Sequence, residues 1–129
     1  MRSAKGGKAR EVLPADLPWN RRQALAMAVD RELLTERITG TGELPAYGWV
    51  PPIPGYTPQR PEWADWPMER RLEEARRLFA EAGYGEDRPL TVELYYNTSD
   101  NHKRIALAVA VGAGLAALTG LYAVFGVIP

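Results

Sequence analysis

Apolar residues recur at helical spacing in two segments of the chain. The first, "NRRQALAMAVDRELLTERITG", runs from Asn20 to Gly40 and is rich in good helix formers. Asn20 is a suitable N-cap and Gly40 a suitable stop, so one helix is predicted between them. The second, "PMERRLEEARRLFAEAGYG", predicts a helix closed by Gly83, with one charged face and one apolar face. The apolar face consists of Leu72, Ala75, Phe79 and Ala82.

A third segment, "PLTVELYYN", alternates between apolar and polar positions and predicts a half-buried strand. The turn "NTSDN" follows it and is rich in side-chain acceptors that favour a helix start. The order helix, long loop, helix, strand, helix indicates an α/β fold. Because one strand cannot form a sheet, we expect its partner strands to lie outside this chain.

The stretch between Gly40 and Pro67 holds seven of the eleven prolines, with tyrosines and tryptophans among them. Proline at this density opposes both helix and central strand. The simpler interpretation is an irregular loop whose aromatic rings cover a core. The alternative is a polyproline ligand for a domain with an aromatic groove, because "PPIP" and "PQRP" have the P-x-x-P spacing.

The C-terminal part of the chain carries no ionisable acid or base after Arg104. Residues 105–128 are long enough, as a helix, to cross a hydrocarbon core of about 30 Å. We therefore expect a transmembrane helix over residues 107–129, with the span starting near residue 105. Gly112, Ala116 and Gly120 would form a stripe of small residues suited to helix contact. The alternative is a buried helix of a soluble protein.

Composition excludes several classes of function. The 16 basic and 16 acidic side chains balance, which argues against a nucleic-acid-binding protein. With no cysteine and a single histidine, the chain has neither a thiolate nor a His-pair metal site, and no catalytic motif or cofactor site is recognisable. Residues 1–19 are expected to form a poorly ordered lead-in rather than a signal peptide, because no apolar run follows their basic start.

The single histidine, His102, lies beside Lys103 where the last helix is predicted to start. It is by default a surface residue. A helix N-terminus that carries His and Lys is also a reasonable carboxylate-binding spot, because free backbone N–H groups and positive charge converge there. The pattern alone leaves both interpretations open.

Three stretches resemble consecutive parts of one protein family: "RRQALAMAVDRELLTERITGTGELPAYGWVPP", "PEWADWPMERRLEEARRLFAEAGYG" and "RPLTVELYYNTSDNHKRIA". They look like the oligopeptide-binding receptors of bacterial peptide-import ABC transporters, the solute-binding proteins of family 5. The likeness implies an α/β fragment of a two-lobed periplasmic-binding-protein fold, comprising residues 20–106. It also implies a periplasmic or cell-envelope receptor that is not an enzyme and delivers an oligopeptide ligand to an ABC permease.

The resemblance implies roles for individual residues as well. Asn97 would lie at the peptide-binding site, and His102 would help to neutralise the C-terminal carboxylate of a longer peptide. Tyr47 and Trp49 match a loop of the family, and we expect them to contribute packing rather than ligand contacts.

The apolar tail conflicts with this resemblance. Members of the family are several times longer and continue after Ala106 as an amphipathic helix that leads to another strand. Lys103 and Arg104 would keep the N-terminal flank of a membrane span in the cytoplasm, whereas a peptide receptor faces outward. The simplest interpretation is a junction near Ala106 between unrelated coding segments. The alternative function is a tail-anchored membrane protein with a small protein-interaction region.

Overall fold

The computed structural model describes residues 19–116 and 121–127, so the expected lead-in lies, except for residue 19, outside the described residues. The chain runs through helices and irregular segments to a strand, a long helix and a second strand. The elements are α1 (Trp19–Ala28), α2 (Arg31–Leu33), a π-helical turn (Leu34–Thr39), a 3-10 helix (Glu62–Asp65), α3 (Met68–Glu81), β1 (Leu90–Tyr96), α4 (Asp100–Ala116) and β2 (Leu121–Val127).

The first predicted helix is interrupted rather than continuous. It begins at Trp19, so Asn20 is helical and is not the N-cap. Asp30 adopts an extended conformation, and its Oδ1 accepts a 2.9 Å hydrogen bond from the backbone N–H of Leu33. Because aspartate caps a helix better than it continues one, the chain breaks here and starts again. The stop at Gly40 is confirmed, with a positive φ of 63°.

The core lies between α1 and α3. Alanines on both helices are fully buried, which allows the two backbones to approach closely. The predicted apolar face of α3 is confirmed: two of its members are buried, and the other two pack against the core from its edge. The buried cluster consists of Ala24, Met27, Ala28, Trp63, Ala75, Leu78, Phe79, Tyr84 and Leu90.

Strand β1 is found where the alternation predicts it, but its partner is in this chain. Strand β2 pairs with β1 in parallel, from Leu90 opposite Leu121 to Tyr96 opposite Val127. The expectation that all partner strands lie outside the chain is therefore wrong. Strands of a parallel sheet usually have nearly continuous apolar sequences. The "LYAVFGV" segment accordingly does not alternate, and its sequence pattern cannot be distinguished from that of an apolar helix.

The expectation of one transmembrane helix over residues 107–129 is also wrong. Helix α4 ends at Ala116, and residues 121–127 form a strand. Within residues 19–116 and 121–127, no helix is both long enough and apolar enough to cross a membrane. The span was predicted from the length of the stretch that contains no charged residue. In the sequence, however, Thr119 and Gly120 interrupt the apolar run with residue types that are common in turns.

Gly112 permits a close contact between α4 and the end of α1. A Cβ atom built on Gly112 would lie 2.2 Å from the backbone oxygen of Ala28. That separation is far below any real carbon–oxygen contact, and the obstacle is backbone rather than a movable side chain. Gly112, expected in a membrane-helix contact stripe, therefore packs within this chain instead.

We predict that Gly112→Ala destabilises the chain by about 1–3 kcal/mol, because the added methyl forces α4 away from α1. Alanine would otherwise favour a helix interior by about 1 kcal/mol over glycine. Urea unfolding of the full chain, followed by circular dichroism, measures the difference.

The matched control is Gly85→Ala, because no atom lies within 4 Å of a Cβ at Gly85. We expect the control to stay within about 0.5 kcal/mol of the unmodified chain. A Gly112→Ala variant more stable than the unmodified chain would contradict the close contact.

Candidate functional site

The turn between β1 and α4 brings together the two residues expected to bind a peptide. Asn97 directly follows the last residue of β1, and His102 lies in the first turn of α4. The Nδ1 atom of His102 is 2.7 Å from Oδ1 of Asn97. Both side chains are exposed. The residue pair is thus preassembled on an open surface.

The local sequence explains this turn. Oδ1 of Asn97 also accepts a 3.0 Å hydrogen bond from the backbone N–H of Ser99, which is the Asx-turn geometry that asparagine favours. The carbonyl of Ser99 accepts a 3.0 Å hydrogen bond from the N–H of Lys103, and so begins the helical ladder. One asparagine oxygen therefore orients both the turn and the imidazole.

The electrostatics of this turn favour an anion. The first N–H groups of α4 have no partner within the helix, and the helix dipole places positive potential at this end. Lys103 and Arg104 add two exposed cations, against the single carboxylate of Asp100. A carboxylate is the natural ligand of such an arrangement.

Three cavities lie elsewhere on the surface. One of about 420 Å³ is bordered by α4 and the π-helical turn, and two of about 550 and 610 Å³ lie against the proline-rich loop. Neither Asn97 nor His102 lines any of these three. The expected peptide contacts are therefore separate from these three cavities.

A second cluster of polar groups lies beneath the proline-rich loop, around the buried guanidinium of Arg71. Its Nε donates to the carbonyl of Trp66 at 2.9 Å, and its Nη1 donates to the hydroxyl of Tyr47 at 3.0 Å. Glu32 approaches Nη2 at 3.6 Å, which is an ion pair but too long for a hydrogen bond. The Tyr47 hydroxyl in turn donates to Glu32.

Opposing effects shift the pKa values in this cluster. Burial acts to raise the pKa of Glu32, but hydrogen bonds, chiefly from Tyr47, and the charge of Arg71 outweigh it, so the pKa lies below its usual value. Burial, and the hydrogen bond to Glu32, raise the pKa of Tyr47. Burial lowers the pKa of Arg31, whose guanidinium stacks 4.8 Å above the Tyr47 ring.

Residues with shifted pKa values can mark an active site, but Glu32, Tyr47 and Arg31 instead hold the proline-rich loop in place. Arg31 donates to the carbonyl of Ala46 at 2.8 Å, and the Tyr47 ring meets Trp63 edge to face at 5.7 Å. Tyr47 thus packs as expected. Trp49 does not, because its side chain is completely exposed (101%), and the expectation that it contributes packing is wrong.

Sequence reasoning missed Arg71 and its partners. The signal was present, because Arg71 precedes Ala75 by four residues and Leu78 by seven, which places it on the buried face of α3. A charged residue at a core position requires buried partners. Nothing in the pattern identified Tyr47 and Glu32 as those partners, since they come from distant segments.

No candidate metal site is found among residues 19–116 and 121–127, where His, Asp and Glu side chains form no group of three or more.

Residues 19–111 match the family described as bacterial extracellular solute-binding proteins, family 5, middle region. The chain belongs to this family. Its match to family 5 continues five residues past Ala106, so the junction expected there does not mark the end of the likeness.

Two periplasmic proteins of Escherichia coli (strain K12) are among the curated relatives of this family 5 chain. It is 47% identical over 90 residues to the oligopeptide-binding protein OppA, and 44% identical over 90 residues to the murein peptide-binding protein MppA. Each alignment covers 69% of this chain and 17% of the relative. The chain therefore spans about a sixth of the length of these relatives.

Solved structures of family 5 proteins superpose on the chain. The murein tripeptide-binding protein MppA of Escherichia coli matches with a TM-score of 0.76 and 37% identity, over 84% of this chain and 21% of that protein. Haemophilus influenzae OppA in complex with RPPGFSPFR matches with a TM-score of 0.75 and 32% identity, over 84% and 22%. The expected α/β part of a two-lobed periplasmic-binding-protein fold is thus confirmed, except that its last element is a strand and not an apolar helix.

We predict that Tyr47→Phe destabilises the chain by about 1–3 kcal/mol, because the change removes one hydrogen bond to Arg71 and one to Glu32 in a part-buried place. Urea unfolding at neutral pH measures this loss.

Tyr95→Phe is the matched control, since the Tyr95 hydroxyl donates to Glu93 at an exposed position. We expect a change within about 0.5 kcal/mol for this variant. Equal losses in the two variants would show that the hydroxyl of Tyr47 has no special role.

Proposed function

We propose that this chain is part of an extracytoplasmic oligopeptide receptor, which serves a peptide-importing ABC transporter in the periplasm and is not an enzyme. The receptor would bind a peptide between two lobes and deliver it to the permease. Membership of family 5 and the likeness to OppA and MppA support this function. Binding without catalysis agrees with the names of these relatives, which describe peptide-binding proteins.

Within that receptor, Asn97 and His102 would form part of the peptide-binding site. His102 would contact the C-terminal carboxylate of the peptide, assisted by the N-terminus of α4. The observation that carries this proposal is the 2.7 Å contact between the two side chains, which presents an oriented imidazole at the positive end of a helix. Lys103 would add long-range attraction for the carboxylate rather than a direct contact.

A chimera tests this function. The segment of Escherichia coli OppA that aligns with this chain is replaced by the corresponding residues of this chain, and pentaalanine binding is measured by calorimetry. We expect the chimera to bind pentaalanine, and His102→Ala in the chimera to weaken binding by about tenfold or more, because a charge-assisted hydrogen bond is lost.

Asn101→Ala in the chimera is the control, because Asn101 is exposed in the same helical turn and accepts from Arg104 rather than contacting His102. We expect it to change the affinity less than twofold. A chimera that unfolds at the same temperature as OppA but does not bind pentaalanine would refute the proposed function.

A further inference from the structure

The hydrogen bonds around Asn97 determine which nitrogen of His102 carries a proton. The backbone N–H of Ser99 can only donate, so the amide atom 3.0 Å away must be the oxygen of Asn97. That oxygen carries no hydrogen. Its 2.7 Å contact with Nδ1 of His102 therefore requires a proton on Nδ1.

A neutral imidazole has one N–H group. With the proton held on Nδ1, the Nε2 atom of neutral His102 presents a lone pair. A lone pair repels a carboxylate, whereas an imidazolium, which has N–H groups on both nitrogens, attracts it.

We infer that Asn97 is a positioning residue that holds His102 in the Nδ1–H tautomer, so that the imidazole captures a peptide carboxylate only by taking up a second proton, on Nε2. This inference rests on the proposed function of the same site. Peptide binding and the uptake of one proton are then a single linked event. The carboxylate supplies the negative charge that favours the imidazolium.

The charged groups around His102 have opposing effects on the imidazolium. On α4 itself, Lys103 and Arg104 oppose a further positive charge and Asp100 favours it. The helix dipole also opposes it.

Groups on the other elements that pack against this region are fewer. The β1 strand contributes Glu93, which accepts a hydrogen bond from Tyr95 at 2.5 Å, and Tyr96. Asp30, at the break after α1, borders the same cavity as Arg104.

Nuclear magnetic resonance tests the tautomer on the full 129-residue chain without any ligand. His102 is the only histidine, so the two ring ¹⁵N signals of a labelled sample need no further assignment to a residue. At pH 8 we expect Nδ1 to show the protonated signal and Nε2 the unprotonated one. Asn97→Ala should move the proton toward Nε2, because the acceptor is gone.

Two further variants separate positioning from general disturbance of the turn. Asn97→Asp keeps an acceptor at the same place and should keep the proton on Nδ1. Asn101→Ala removes a neighbouring amide whose oxygen faces Arg104, and it should leave the tautomer unchanged. A proton on Nε2 in the unmodified chain would overturn the inference.

Calorimetry on the OppA chimera tests the linked proton, because the receptor is proposed to bind a peptide between two lobes. Titrations with pentaalanine at pH 8, in buffers of different ionisation enthalpy, should show that a proton is taken up on binding. His102→Ala in the chimera should lose this uptake, so that the difference between the two proteins belongs to the imidazole. In Asn97→Ala, where Nε2–H can donate directly, the proton uptake should be reduced.

The outcomes distinguish this inference from the proposed function. Binding without this proton uptake in the chimera would overturn the inference and leave the peptide contact standing. A chimera that unfolds at the same temperature as OppA but does not bind pentaalanine would count against the peptide contact, while a proton on Nδ1 in the 129-residue chain would still support the positioning role of Asn97.

Discussion

The buried guanidinium of Arg71 is the constraint on which the arrangement of the long loop depends. A buried charge without partners costs several kcal/mol, so the chain must bring acceptors to it. Its partners come from three separate segments: two acceptors, Trp66 just before α3 and Tyr47 in the loop, and the counter-charge of Glu32 in α2. A proline-rich stretch with little regular structure is thereby held against α1 and α3.

The same core supports the candidate peptide site from a distance. Leu90 is buried in the cluster formed by α1 and α3, and it fixes the start of β1, whose other end leads into Asn97. Helix α4 is held against the end of α1 by the close approach of Gly112 to Ala28. An exposed pair of side chains therefore has a rigid base, which is what a binding site requires if it is not to lose affinity in ordering itself.

Sequence patterns predicted α3, β1 and the turn after it correctly, because these elements follow from periodicity and side-chain capping, which are local. The break at Asp30 was missed because helix propensity around it is high, and the cap forms only where the chain bends. The strand β2 was missed because an apolar strand of a parallel sheet and an apolar helix share the same composition. The tautomer of His102 depends on an atomic contact across five residues, so residue pattern could not reveal it.

The parallel pairing of β1 with β2 also sets the order in which the chain acquires its structure. Each pair, such as Leu90 with Leu121, joins residues about thirty positions apart, so entropy is lost before any ladder bond forms. Helices form from near neighbours and much faster. Once α4 is helical it shortens the path between the two strands. We therefore expect the ladder to form after the helices.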